Sequence, residues 1–312
     1  MSLINHGPQL RHTLNRDYSV MTRSGCAALI TALRATNVPL RSEVITPAIC
    51  CPSVLFAIQL SGYKVVLADV ELDTFNMNRA QLDSCITPNT RAVVAVHGFG
   101  RYCEIDVLAE FSKEKQLVLI EDACLAQGGS YLEMPLGSFG DVSIVSFGYD
   151  KPVDCNYGGA LLTNDDAIYQ AANRFISENL FFSYNPKPEC DRKILSKLER
   201  LDEGVQQRLQ NIRIFETEIN QDFILKPAEG HDIVYWRYPC LVDGDRDKLV
   251  ERANSCGLIF TTHYKNLAGL TTGVSLPNAD YIASHIFNLF VRPETPQHQI
   301  EDSIDFLNSY VP

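Results

Sequence analysis

Three places in the chain hold residues that reactive chemistry would need. Lys151 follows the strand-like run 142–147 and precedes Gly158-Gly159, a pair that lets backbone approach closely. A lysine amine in that setting suits Schiff-base formation with a carbonyl compound. Read alone it is equally an ordinary surface lysine, with Asp150 beside it as a solvated charge. Asp122 ends the apolar run 116–121, directly after Glu121. A carboxylate at the carboxyl end of a buried strand is costly unless something pairs with it. By position it serves either catalysis or the capping of a helix start. Ser24-Gly25-Cys26-Ala27 opens a helical run. Free N–H groups and the positive dipole end at a helix start suit a phosphate, although a plain cap satisfies the same pattern.

The elements that would carry these groups alternate. Helices are expected at 27–33, 53–61, 79–85 and 105–115, and strands at 42–49, 64–70, 91–96, 116–122, 142–147 and 159–163. Continuous apolar strands separated by helices imply a largely parallel sheet covered on both faces. Ligands of such sheets bind beyond the carboxyl ends of the strands. His97 follows the 91–96 strand and reads either as a site residue or as a satisfied core histidine. The second half differs. It shows a helix over 197–215, a strand at 235–242, a helix at 246–256, a short strand at 289–291 and a last helix from 300. Trp236, with Tyr235 and Tyr238, reads as strand packing. The stretch 183–191, with two prolines, marks the break between the parts.

Composition excludes several classes. Of 312 residues, 46% are hydrophobic and 21% charged, which is globular. Net charge of −11 argues against sequence-independent nucleic-acid binding, which needs a basic face. No apolar run is long enough to span a membrane, and residues 1–14 lack the apolar core of a secretion signal. The ten cysteines form no Cys-x-x-Cys pair, and His6, His12, His231, His285 and His298 show no ligand spacing, so no metal site is expected. Cys50, Cys51, Cys124 and Cys240 read as small buried hydrophobes. A cytoplasmic protein with reduced thiols fits best.

As a set, these elements resemble the DegT/DnrJ/StrS sugar aminotransferases, fold-type-I enzymes that use pyridoxal 5'-phosphate. The resemblance rests on Ser24–Leu29, Glu43–Pro47, Asp69-Val70 with Asp73–Asn76, and Ile86–Val93. It continues through Val96-His97 with Gly100, Glu121–Ala123, Gly137–Asp141, Ser146-Phe147 with Lys151, and Gly158-Gly159 through Asp165. Later matches are thinner, at Leu198–Asp202, His263-Tyr264 and Leu276–Ala279. The resemblance implies an α/β fold with a mostly parallel seven-stranded sheet sandwiched by helices. That large cofactor-binding domain would span 1–185, and a smaller α+β domain 186–312.

Carried over by position, Lys151 is the Schiff-base lysine and general acid/base, and Asp122 pairs with the pyridinium nitrogen. Such a carboxylate keeps the ring protonated as an electron sink. Gly25, Cys26 and Ala27 match the phosphate turn and Ser146 the phosphate-binding serine. Asn185 matches an asparagine that reaches the cofactor phosphate of a neighbouring subunit, which implies a homodimer with a shared site. His97, His263 and Tyr264 fall near the substrate. The chain also departs from the family. Cys26 replaces a threonine, Cys51 falls where an aromatic stacks on the cofactor, and Leu125 and Gln127 replace a glutamine and a histidine. Pro186–Ser196 stands where a long helical motif is usual, and the arm before the phosphate turn is short.

The implied reaction moves an amino group from an amino acid, L-glutamate by resemblance, to a keto-sugar that is usually nucleotide-linked, in amino-sugar or surface-polysaccharide biosynthesis. Two alternatives stay open. One is another reaction of the same cofactor on this fold, and the other is a degenerate binding subunit without transamination.

Overall fold

The computed structural model describes residues 7–228, 230, 233–271 and 273–312. His6 and His231 lie outside the described residues. The chain opens with α1 (Gly7–Thr13), β1 (Tyr18–Thr22) and α2 (Gly25–Ala35). There follow β2 (Glu43–Pro47), α3 (Pro52–Leu60), β3 (Lys64–Ala68), α4 (Arg79–Cys85), β4 (Thr90–Val96), α5 (Ile105–Glu114) and β5 (Val118–Asp122). A small hairpin, β6 (Ser130–Tyr131) and β7 (Met134–Pro135), precedes β8 (Val142–Ser146) and β9 (Gly159–Thr163). Three helices come next: α6 (Asp166–Glu178), α7 (Pro188–Glu199) and α8 (Leu201–Glu218). The remainder is β10 (Ile224–Leu225), β11 (Tyr238–Val242), α9 (Arg246–Ser255), α10 (Pro277–His285), β12 (Ile286–Leu289) and α11 (Gln297–Ser309).

Seven strands form the main sheet in the order β1-β9-β8-β5-β4-β2-β3. The five from β8 to β3 run parallel, and β9 is antiparallel to both of its neighbours. Side-chain alternation explains why these strands read as unbroken apolar runs. On β4, Val94 and Val96 face a core shared with α2 and α3, while Val93 and Ala95 face another shared with α4 and α5. Helix α2 has nine of its eleven residues buried, so it is apolar all round and lies under the sheet. Strand β1 escapes the sequence pattern because Ser19 and Thr22 interrupt it. It is nevertheless the edge strand that pairs antiparallel with β9.

The second half departs from expectation in three places. The helix expected at 197–215 is two helices, α7 and α8, broken at Arg200. The segment 186–196, expected to replace a helical motif, is largely helical itself. Pro188 sits in the first turn of α7, where a missing N–H costs nothing. The short strand lies at Ile286–Leu289, not 289–291, and pairs with β11. Ile194, Leu198, Leu201 and Val205 of α7 and α8 pack on Val145, Ala160 and Leu162 of the large sheet. The far end of α8 packs with α9, α11 and the three-stranded sheet β10-β11-β12. No helix among the described residues is long and apolar enough to cross a membrane.

One glycine fixes the meeting of β9 with the start of α2. A Cβ on Gly159 would lie 2.6 Å from both the Gly25 nitrogen and the Ser24 carbonyl carbon, which are backbone atoms that cannot swing aside. Gly159→Ala should therefore destabilise the protein by about 1–3 kcal/mol through overpacking. Thermal melting measures it, and an unchanged melting temperature would show that the two segments are free to part.

Candidate active site

The carboxyl ends of β2, β4, β5 and β8 and the amino end of α2 converge on one pocket of about 230 Å³. Asp122 closes β5, Ser146 closes β8, Cys50 and Cys51 follow β2, and Gly25 and Cys26 begin α2. Lys151 and Tyr264 complete the wall. Of the residues singled out in the sequence, Gly25, Cys26, Cys51, Asp122, Ser146, Lys151 and Tyr264 thus come together.

The others lie elsewhere. Ala27 is buried in α2, and its N–H goes to the Ser24 hydroxyl (3.1 Å), so Ser24 is a true N-cap as well as a pocket residue. Gln127 sits behind the pocket, its Nε2 donating to the Ser146 carbonyl (2.9 Å). Asn185 is exposed on its own chain, with its N–H on the Tyr157 hydroxyl (3.1 Å). His263 packs edge-on against Trp236, at 5.6 Å between rings. Burial, then the Arg237 charge, pushes its pKa down, so its imidazole is neutral near pH 7.

His97 is fully buried behind β5. Its Nε2 lies 2.9 Å from Glu121 Oε1, and its Nδ1 lies 3.3 Å from the Cys103 backbone nitrogen and 3.6 Å from the Cys103 sulfur. Burial disfavours its charge, yet Cys103 and the Glu121 carboxylate outweigh that and raise its pKa to about 10.

Asp122 is 6% exposed, and no cationic side chain lies within ion-pair distance of it among the described residues. Its Oδ1 accepts from the Cys124 N–H (2.9 Å), so it also caps the turn after β5. A buried carboxylate with no protein counter-charge, facing a pocket, is suited to a cationic ligand atom. Ser146 Oγ accepts from the Gly148 N–H (3.2 Å), which leaves its own proton for a ligand oxygen. The first turn of α2 adds N–H groups outside the helix's own ladder. At Gly25 a Cβ would lie 2.8 Å from Ser146 Cβ, so backbone and hydroxyl form one close cradle. The residues therefore fit a small ligand with an anionic group at the start of α2 and a cationic atom at Asp122.

Four thiols, of Cys26, Cys50, Cys51 and Cys124, line the same pocket. Burial pushes Cys26 up, and Cys50 and Cys124 far up, so these three stay protonated and poorly nucleophilic.

The surroundings of Lys151 were not legible in the sequence. Asp150 is 1% exposed, not solvated, and adopts φ 61°. Its Oδ2 accepts from Arg237 Nη2 at 2.6 Å, and Arg292 Nε lies 3.3 Å from Oδ1. Trp236 is likewise more than strand packing, since it precedes β11 and its ring centroid lies 5.7 Å from Lys151 Nζ. The indole stacks on Tyr264 at 5.7 Å and carries Arg237 over its ring at 4.5 Å. The segment before β11 thus sets the lysine turn from the C-terminal half.

Asp150→Ala strands a buried guanidinium and should cost about 3–5 kcal/mol of stability, read by urea denaturation. A loss within about 1 kcal/mol, that of a surface pair, would remove the clamp from the account. The His97 charge carries a second expectation. Its pKa is raised on folding from 6.5 to about 10, so its contribution is complete below pH 6.5 and is lost as pH rises through 10. Between pH 7 and 10 the melting temperature should fall more steeply for the native chain than for His97→Gln. Equal slopes would count against the ion pair.

Comparison with known proteins places this geometry. The model of the DegT/DnrJ/EryC1/StrS aminotransferase family matches residues 8–181 and 193–308. The chain is 27% identical over 310 residues to dTDP-3-amino-3,6-dideoxy-alpha-D-galactopyranose transaminase of Aneurinibacillus thermoaerophilus, covering 94% of this chain and 85% of the relative. It is also 27% identical over 232 residues to GDP-perosamine synthase of Escherichia coli O157:H7, covering 70% of this chain and 64% of that relative's length. Among solved structures, Helicobacter pylori PseC, an aminotransferase of pseudoaminic acid biosynthesis, superposes with a TM-score of 0.89 at 21% identity, covering 96% of this chain and 88% of the other. DesV of S. venezuelae, solved in complex with a ketimine intermediate, gives 0.88 at 24% identity, covering 98% and 89%. The fold is that of the fold-type-I aminotransferases, and the chain belongs to the DegT/DnrJ/EryC1/StrS family of pyridoxal-phosphate-dependent aminotransferases.

Proposed function

We propose that the protein transfers an amino group from an amino acid, L-glutamate by family resemblance, to a nucleotide-linked keto-sugar in amino-sugar biosynthesis. The observation that carries this reading is the presence of Asp122 and Lys151 on the wall of one 230 Å³ pocket at the strand ends, with the start of α2 at the same place. The named relatives act on nucleotide sugars, which supports the acceptor class.

Bound there, pyridoxal phosphate supplies a carbonyl for the amine and a ring that withdraws electrons from the carbon losing its proton. The chain does the rest. Asp122 would keep the ring nitrogen protonated by its charge. Gly25, Cys26 and Ser146 would hold the cofactor's phosphate. Lys151 Nζ would take or return the proton at the substrate carbon that bears the amine, and the buried rings of Trp236 and Tyr264 would keep water from its flank. The Cys50 and Cys124 thiols, held protonated, supply no thiolate for desulfurase chemistry.

A homodimer belongs to the same proposal. Asn185 is exposed on its own chain, and nearby Leu180 and Phe181 are 73% and 71% exposed, apolar surface that a second subunit would cover. Ten free cysteines suit a reducing cytoplasm.

The purified protein with added pyridoxal phosphate should show a visible or near-ultraviolet band that shifts on addition of L-glutamate. Lys151→Ala should lose the shift, with turnover falling by at least about 100- to 10,000-fold. Cofactor uptake with no amino acid shifting the band would overturn the transaminase reading.

A further inference from the structure

Two of the ten thiols are placed to react with each other. Cys155 lies in the loop that runs from Lys151 to Gly158-Gly159 and β9. Its N–H and that of Tyr157 both donate to the Phe147 carbonyl, at 2.9 and 3.2 Å, so the loop hangs just past the end of β8. Cys190 belongs to the first turn of α7. Its Sγ lies 4.0 Å from the Cys155 carbonyl oxygen, and the two thiols meet side chain to side chain.

The contact is one point of a longer seam. Cys190, Ile194 and Lys197 share a face of α7 by their spacing. Ile194 is buried in the cluster that holds Cys155, and Lys197 Nζ lies 3.5 Å from Asp154 Oδ1. Just before α7, the Tyr184 ring meets that of Tyr157 at 5.7 Å, and its hydroxyl donates to Asp191 Oδ1 (2.8 Å). Helix α7 is thus already seated on the lysine loop, and joining the two thiols calls for no large movement. The same helix and loop wall a cavity of about 780 Å³ that Lys151 also lines.

The two thiols differ in access. Cys155 is 6% exposed, and burial pushes its pKa up to about 12. Cys190 is half-exposed and follows three exposed residues, 187–189. A reagent in solution therefore meets Cys190 first.

We infer that Cys155 and Cys190 form a reversible disulfide that staples α7 to the lysine loop and slows the site. A small-molecule disulfide such as oxidised glutathione is the oxidant. Cys190, as thiolate, attacks one of its sulfurs; that S–S bond breaks, and one glutathione leaves with the proton Cys190 gave up. Cys155, its proton passing to solvent, attacks the Cys190 sulfur. The protein disulfide forms, and the second glutathione leaves and takes up a proton. Two protein thiols are oxidised, and one disulfide is reduced to two thiols. The small thiolate fraction of Cys155 is offset by its contact with the sulfur it attacks. In a reducing compartment the bond is transient and follows the thiol–disulfide balance. Once formed, it fixes two walls of the larger cavity and restrains the backbone between Lys151 and β9.

The cofactor-loaded protein, incubated with oxidised glutathione, alkylated and digested, tests this. A peptide pair joined through Cys155 and Cys190 should appear, and dithiothreitol should remove it. Oxidation should raise the melting temperature by about 4–10 °C, the scale for a cross-link closing a loop of this length. The spectral half-reaction with L-glutamate should slow by at least about threefold, as for a restrained active-site loop, and recover on reduction. Cys190→Ser should match the reduced native protein and show none of these changes. Cys155→Ser should do the same, but it buries a hydroxyl and endangers folding, so the half-exposed position carries the test. Glutathione retained on Cys190 without the cross-link overturns the inference. So does a cross-link that leaves the half-reaction rate unchanged, or a slowing that persists in Cys190→Ser. The peptide map and melting curve need no turnover, so failure of the cofactor band to form bears on the transaminase reading alone.

Discussion

The site depends on a carboxylate that never touches it. Glu121, fully buried on β5, accepts from the N–H groups of Gly137 (2.6 Å), Phe139 (2.8 Å) and Gly140 (3.0 Å), and its Oε1 also lies against His97. Burial penalises its charge, but His97 and these N–H groups outweigh that and hold its pKa down. Arg16 extends the arrangement, donating to the Gly137 and Gly140 carbonyls at 2.8 Å each. The loop so tied leads directly into β8, whose last residue is Ser146. Successive side chains on a strand point to opposite faces, so Glu121 secures the loop while its neighbour Asp122 meets the pocket. A dipeptide that looks like one acidic patch divides into an anchor and a pocket-facing group.

A second constraint comes from the far end of the chain. Asp150, immediately before Lys151, is clamped by Arg237, a partner 87 residues away. Arg237 also lies over the rings of Trp236 and Phe290, at 4.5 and 3.8 Å from their centroids. The lysine turn, with a positive φ at Asp150, is thus held by a C-terminal layer as well as by its own sheet. A non-glycine residue in that conformation persists because its surroundings over-determine it.

The features legible in the sequence are those that periodicity writes. Parallel strands buried on both faces show as apolar runs, and their ends point to Asp122, Ser146 and Lys151 before any coordinates exist. The start of α2 was legible for the same reason, since Ser24 and Gly25 mark a helix entry that small residues allow. The features that stayed hidden depend on partners distant in sequence. Asp150 beside Lys151 looks solvated until Arg237 is brought to it. Trp236 between two tyrosines looks like a strand residue until its face meets the lysine. Arg208 falls among the polar positions of the helical run 197–215, yet it is buried, its Nη1 donating to the carbonyls of Tyr235 and Trp236 at 3.2 Å each. The break at Arg200 was missed because the apolar spacing runs on across it.

The sharing of Lys151 between two cavities has a mechanical meaning. A four-carbon stem samples several staggered rotamers, and any volume it vacates on one side it takes up on the other. Lys151 lines both the 230 Å³ pocket and a cavity of about 780 Å³ between its own turn and helices α7 and α8, so the rotamer of this one side chain sets the room on both sides.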